Sequence, residues 1–552
     1  MLKNYKFEIS YVVEGQEYNS VKDENEHYCI ELGAVNKERL ELYILPKTTM
    51  ALKSCSLSYS YKYNDNAKIY PNGYQSWTYT PEYSKTDRME GLKPLAKAAY
   101  KLTSMFGDYQ FKDYPKTAGV FHGFTYSYIR VNNEVTLLAS LSERQGYTIF
   151  NFDMNNNTVV IEKEVEGLSI SSKYKIFDLA LFFGDYNEVF DQYFSMMKIA
   201  KPKVSHLSGY TSWYNYFGRI TEDILMRDLR GMDKVEGYAG IFQIDDGYQR
   251  KVGDWLTLKN SFPNGMKYIA DAIHNKGLLA GIWLAPFSCA RSSRVAKEHS
   301  DWLVKDSKGK PVLGAIAWGG AYILDFYNNE AADYIRKVFD EVLNVWGFDL
   351  VKLDFLYSVC LTPRYNKTRG TIMCEAMDFL RECVGDKLIL GCGVPLGPSF
   401  GKVDLCRISC DVDLSYRNRF YYYLGNREII NTRSAINNSI FRRHLDNRAF
   451  VNDPDVFFLR NNNINFTHEQ KLLLAKVNNM FGNVLFVSDN IGDYDENQLA
   501  EVKNAFTESK AKIVSAEYVD SKNLRIVYLD NKQKYRWDIN LITGRNNVEA
   551  VK

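Results

Sequence analysis

Along the first third of the chain, apolar and polar residues alternate in short runs separated by Asn, Gly and Asp. The stretches Tyr126-Ser127-Tyr128-Ile129-Arg130-Val131 and Val159-Val160-Ile161-Glu162-Lys163-Glu164-Val165 are typical. A period of two places every second side chain on one face, which predicts antiparallel strands with one buried side. Residues 1–195 are therefore expected to form an antiparallel β-sandwich, with a more helical or irregular stretch over 89–106. From about 196 the pattern changes to short apolar runs alternating with longer amphipathic segments, the mark of repeated β-α units around a parallel sheet. Strands are predicted at 207–213, 240–245, 278–284, 350–355, 388–392, 405–409, 455–459 and 484–488, with helices such as 222–231, 266–276 and 330–345 between them. Eight units over 196–490 predict a central (β/α)8 TIM barrel, a fold of about 250 residues. An open doubly wound sheet is the alternative, but no strand is followed by the glycine-rich phosphate loop it usually carries. Alternation returns at 512–518 and 524–529, so residues 491–552 are expected to form a small C-terminal antiparallel β-domain.

The length of 552 residues agrees with several domains. A net charge of only +2 offers no electrostatic footprint for nucleic acid or a membrane surface, and neither partner is expected. No segment reaches the 18 uninterrupted apolar residues of a membrane span. The first eight residues lack the apolar core of a signal peptide, which predicts a cytoplasmic setting and free thiols. The nine cysteines are odd in number, and Cys406-x-x-x-Cys410 has no second pair to complete a zinc site. With seven histidines in all, no metal or other cofactor is expected. Aromatic residues make up 14% of the chain, a supply of rings that suits packing on sugars. Oligomeric state is not legible, and a homo-oligomer stays open.

Candidate chemistry concentrates where barrel strands end. In Val351-Lys352-Leu353-Asp354-Phe355 the alternation of a strand points Lys352 and Asp354 the same way. A cation there would keep the carboxylate ionised, as a covalent glycosidase nucleophile requires; a structural ion pair would look the same. Reading the predicted strand ends in order gives Trp213, Asp245 and Asp246, Trp283, Lys352 and Asp354, Cys392, Arg407 and Asp411, Asp453 and Asp455, and Asp489. Each aspartate alone could be a helix cap or turn residue. A ring of carboxylates with tryptophans and no histidine fits a pyranose pocket better.

Five motifs occur in order: Gly209-Tyr210-Thr211-Ser212-Trp213-Tyr214, Phe242-Gln243-Ile244-Asp245-Asp246-Gly247-Tyr248, Gly281-Ile282-Trp283-Leu284-Ala285-Pro286-Phe287, the 352–355 strand end, and Arg407-Ile408-Ser409-Cys410-Asp411. Together they resemble the α-galactosidases of glycoside hydrolase family 36, in clan D. Upstream, Asn72-Gly73-Tyr74-Gln75-Ser76-Trp77 is similar to the loop by which that family's N-terminal sandwich reaches into the pocket. The resemblance covers residues 70 to 490. It implies Asp354 as nucleophile and Asp411 as general acid/base, with Asp245 and Asp246 binding the 4- and 6-hydroxyls of galactose. It also implies Lys352 and Arg407 as hydroxyl ligands that tune the acids, Trp77 and Trp283 as pocket walls, and Cys392-Gly393 near the 2-hydroxyl. Trp213 and Tyr214 are further candidates, although an aromatic at a strand end is often barrel packing. Asp413 competes with Asp411, and the Arg-x-x-x-Asp spacing favours Asp411. The family often has glycine and proline where this chain has Ser409 and Cys410. Trp318-Gly319-Gly320, in the long insertion between the third and fourth strands, reads as closing a loop rather than shaping the pocket.

The resemblance implies a retaining, exo-acting α-galactosidase that takes small oligosaccharides by a two-aspartate double displacement. Two enzymatic alternatives stay open: an α-N-acetylgalactosaminidase, and a galactosyl transferase of the raffinose-synthase type. A carbohydrate-binding protein on a degenerate barrel is the non-enzymatic alternative, although a lectin has no need of two opposed acids.

Overall fold

The computed structural model describes residues 4–36, 38–417 and 425–551. The reading of the leader rests partly on residues 1–3, which lie outside the described residues. Two antiparallel sheets face each other in the N-terminal region. One runs Gln16–Ser20, Lys6–Val13, Met50–Ser60, Thr158–Lys163, Thr148–Asp153, Val120–Phe124. The other runs Tyr28–Val35, Arg39–Pro46, Tyr174–Asp185, Glu134–Ser140, Tyr126–Val131, Lys68–Pro71. Phe7, Ile9, Tyr11 and Val13 from one sheet, and Leu40, Leu42 and Ile44 from the other, are every second residue of their strands and share one buried core. The stretch expected to be irregular breaks into Pro94–Ala98, Tyr100–Thr103 and a 3-10 turn at Ser104–Phe106.

Helix Tyr186–Met197 leads out of the sandwich, capped at its start by the Asp185 side chain and ended by Lys198 in a left-handed conformation. Eight strands of one parallel barrel follow: β1 (Leu207–Thr211), β2 (Ile241–Ile244), β3 (Leu279–Leu284), β4 (Leu350–Leu353), β5 (Leu388–Gly391), β6 (Leu405–Arg407), β7 (Val451–Asp453 with Val456–Phe457) and β8 (Val484–Val487). All positions of β2, β4, β5 and β8 are buried, as expected for strands covered on both faces. The barrel closes through β7. Its first piece pairs with β6 and its second with β8, while Pro454, which lacks an N–H, and Asp455, at φ +78°, separate the two.

Several expected ends differ, among them that of β6, which stops at Arg407 rather than at 409. The seventh strand begins at Val451 rather than at 455, because the run after the proline is only half of it. β1 stops at Thr211, since Trp213–Tyr216 winds into a helical turn. β4 stops at Leu353, and Phe355 turns left-handed at φ +55°. Of the expected helices, Glu222–Gly231 agrees in both bounds, and Asn329–Asp340 runs on into a π-turn over Glu341–Val345. The insertion between β3 and β4 folds as a small sheet of Ser288–Ala290, Ala321–Ile323 and Leu313–Ala315. After β8, helix Glu496–Phe506 reaches back to the barrel, its Gln498 amide donating to the Leu459 carbonyl at 2.7 Å. A four-stranded meander over Lys512–Tyr518, Asn523–Asp530, Gln533–Asn540 and Asn546–Val551 completes the chain. It packs on the barrel where the Tyr518 ring stacks on Phe441 at 5.4 Å.

Candidate active site

The C-terminal ends of the barrel strands gather acids, two cations and several rings. β2 ends in Asp245-Asp246. The Asp245 backbone N–H donates to Ser212 Oγ at 2.9 Å, and its Oδ1 accepts the Asp246 N–H, also at 2.9 Å. From β4, the Lys352 ammonium donates to Asp245 Oδ2 at 2.8 Å in a buried ion pair. That pairing corrects the expectation from the sequence, which set Lys352 on Asp354. Lys352 acts on Asp354 only through space; burial lowers its own pKa, but Asp245, Cys392 and Asp354 together outweigh that and leave it raised.

Asp354 follows β4 and takes two donors, the Trp283 indole N–H on Oδ2 at 3.1 Å and the Phe355 N–H on Oδ1 at 2.8 Å. Burial pushes its carboxyl above the ordinary range, and the negative Asp411 adds to the rise. Lys352, Trp283 and the Cys392 thiol oppose it. Trp283 is thus a carboxylate donor.

Asp246 is held on both oxygens: Gln249 Nε2 donates to Oδ1 at 2.6 Å and Trp318 Nε1 to Oδ2 at 2.8 Å. Burial raises this carboxyl too, with the two donors pulling against it. The Trp318 contact overturns its reading as a loop closer. Its ring centroid lies 4.9 Å from Phe355 and 5.9 Å from Trp283, and its backbone sits left-handed at φ 58° before Gly319 and Gly320. Two glycines after a tryptophan were the signal that the loop turns sharply at that point. They carry no information on what the indole meets.

On β6, the buried Arg407 guanidinium donates to Asp411 Oδ1 at 3.0 Å and pairs through the same Nη2 with Asp455 Oδ2 at 3.1 Å. Its Nη1 reaches Cys392 Sγ at 4.0 Å. Asp411, partly exposed, faces the site. Asp413 is buried and accepts the Ser415 N–H on Oδ1 at 2.9 Å, as in a turn. Asp455 is the site residue for which the sequence reading had no role. It accepts from the Tyr214 hydroxyl and from the Val412 N–H, the latter at 2.8 Å.

Trp77 arrives from the sandwich on a buried loop. The Ser76 N–H donates to the Val394 carbonyl at 2.9 Å, and Arg442 donates to the carbonyls of Ser76 and Gln75. The ring stands edge-on to Phe355 at 5.4 Å and lies against Gly393, where a Cβ would meet Trp77 Cζ2 at 2.8 Å. Burial and the Asp354 charge place the Cys392 thiol pKa well above its usual value, while Arg407 and Lys352 pull it down. Trp213 opens the turn after β1, and its ring contact among the described residues is edge-on to Phe217 at 5.2 Å. Its neighbour Tyr214 is the one that enters the acid network.

Known proteins share parts of this chain. The Melibiase family model matches residues 229–373. An A type blood α-D-galactosamine galactosaminidase of Flavonifractor plautii is 31% identical over 151 residues, 24% of this chain and 14% of that protein. The α-galactosidase Mel36A of Lactobacillus acidophilus is 31% identical over 121 residues, 21% of this chain and 16% of that protein. In both cases the aligned stretch covers well under two thirds of the relative's length. Among solved structures, TtGalA, an α-galactosidase from Thermus thermophilus in complex with p-nitrophenyl α-D-galactopyranoside, superposes with a TM-score of 0.70 at 22% identity, covering 96% of this chain and 98% of that one. The GH36 α-galactosidase AgaA from Geobacillus stearothermophilus gives 0.62 at 11% identity, covering 96% and 81%. The fold is therefore shared along nearly the whole chain, and the segment matched by the Melibiase model lies inside its barrel.

Proposed function

We propose that the protein is a retaining, exo-acting α-galactosidase that removes terminal α-linked galactose from small oligosaccharides. The observation that carries this reading is a pair of differently held carboxylates at the ends of β4 and β6. Asp354 is fixed by two N–H donors and Asp411 rests on a guanidinium. A retaining glycosidase needs one carboxylate as nucleophile and one as acid and then base. In the first step Asp354 attacks the anomeric carbon, the glycosidic bond breaks, and its oxygen leaves with the proton of Asp411. In the second, Asp411 takes a proton from water, which displaces Asp354 and restores both residues. Asp245, tied to Lys352, and Asp246, tied to Trp318 and Gln249, supply the acceptors for the galactose 4- and 6-hydroxyls. Trp77, Trp283 and Trp318 supply ring faces. We assign catalysis to the 196–490 barrel, flanked by the 1–195 sandwich and the 491–552 sheet, acting without a cofactor in the cytoplasm. Among the described residues no helix is long and apolar enough to cross a membrane.

Azide rescue tests the two roles. With an activated aryl α-galactoside, Asp354→Gly is expected to yield β-galactosyl azide and Asp411→Gly α-galactosyl azide; exchanged anomers would reverse the assignment. The galactosaminidase relative favours one second reading, an enzyme for the N-acetylated sugar. Initial rates on the p-nitrophenyl α-galactoside and α-N-acetylgalactosaminide decide between the two.

A further inference from the structure

Asp455 lies in the break of β7, just after Pro454, with its backbone in the left-handed region that aspartate tolerates better than most residues. There it is buried, and one oxygen accepts from the Tyr214 hydroxyl and from the Val412 N–H at 2.8 Å and forms an ion pair with Arg407 Nη2 at 3.1 Å. Arg407 Nη2 donates to Asp411 Oδ1 at 3.0 Å as well, so one nitrogen of one guanidinium joins the two carboxylates. Val412, the donor on Asp455, is the residue next to Asp411, so Asp455 also pins the backbone from which Asp411 projects.

We propose that Asp455 is a positioning residue for Asp411, sharing the Arg407 charge so that the guanidinium does not hold Asp411 in its ionised form when the glycosidic oxygen needs a proton. This inference rests on the α-galactosidase reading above. A lone Arg407 would oppose the acid role of Asp411, because a neighbouring cation favours a carboxylate over its acid. A second negative group on the same nitrogen divides that effect. Burial raises the Asp455 carboxyl, Arg407 draws it down, and Asp411 and Asp453 push it up. The titratable groups that face it are Arg407 on β6, Asp411 beyond that strand, Asp453 on its own strand and Tyr214 after β1. Asp354, Lys352 and Cys392 surround Arg407 and Asp411 from β4 and β5.

The test compares Asp455→Asn with the wild type on two substrates across pH. Melibiose has a poor leaving group and needs the proton; 2,4-dinitrophenyl α-galactoside does not. Asp455→Asn is expected to shift the alkaline limb of kcat/KM for melibiose toward acid by about one pH unit. It is expected to leave kcat/KM for the dinitrophenyl substrate within about twofold. Tyr214→Phe removes a donor that favours ionised Asp455, so it is expected to move the same limb the same way by less, and it carries the test where the asparagine variant does not fold. An unmoved limb, or an equal loss on both substrates, would overturn the inference while leaving the activity intact. A wild type inactive on both substrates would overturn the activity and the inference together.

Discussion

Trp318→Phe separates a pocket residue from a loop closer. Phenylalanine keeps an aromatic ring against Phe355 and Trp283 and removes only the N–H that now donates to Asp246 Oδ2 at 2.8 Å. A hydrogen bond to a charged group is worth about 1.5–3 kcal/mol. Asp246 is almost fully buried, so little water replaces the lost donor. At about 1.4 kcal/mol per tenfold, the loss in kcat/KM on an aryl α-galactoside is roughly ten- to a hundredfold. On the proposed role of Asp246 as a hydroxyl ligand, most of it belongs in KM. The carboxyl, already raised by burial, rises further once a donor that lowers it is gone, so the deficit is expected to deepen as pH falls. A double-mutant cycle with Asp246→Asn isolates the contact, and a coupling of about 1.5 kcal/mol or more is expected. Coupling under about 0.5 kcal/mol, or a loss in thermal stability with KM unchanged, would refute the assignment and return Trp318 to the loop.

Two further perturbations probe buried charge. Lys352→Met strands the Asp245 carboxylate, and breaking a buried pair in this way costs about 3–5 kcal/mol. Lys352→Met/Asp245→Asn is expected to recover part of that loss, and a double variant that unfolds no later in denaturant than the single would contradict the pairing. Glu428 is buried beside Tyr109, whose hydroxyl donates to it at 2.7 Å, and desolvation lifts its carboxyl to about 7. A carboxyl raised in the folded state stabilises fully only below its unfolded pKa, and that contribution disappears as pH rises through the folded value. Between about pH 4.5 and 7 the wild type is therefore expected to lose up to about 3 kcal/mol relative to Glu428→Gln, measured as denaturation midpoints at the two ends of the window.

The barrel was legible because each of its strands is a short run buried on both faces, flanked by amphipathic helices whose period is plain. The sandwich was legible because every second residue turns inward. Pairings inside the barrel were not, and the reason is geometric. Inward residues of a barrel meet by layer, and each layer draws on alternate strands. Lys352 lies on β4 and Asp354 beyond its end, and the ammonium of β4 finds the acid that ends β2, another even strand. The acids and cations of the candidate site follow the even strands, with Asp245 and Asp246 after β2, Lys352 and Asp354 on and after β4, and Arg407 and Asp411 on and after β6. The odd strands supply the groups that hold them: Tyr214 after β1, Trp283 on β3, Cys392 after β5 and Asp455 in β7. Asp455 was visible as one more strand-end aspartate, but a predicted strand starting at 455 made it the first residue of a ladder rather than the break in one. Trp77, from the sandwich, and Trp318 stand outside this order; Trp318 comes from an insertion whose return path depends on packing that no local pattern encodes.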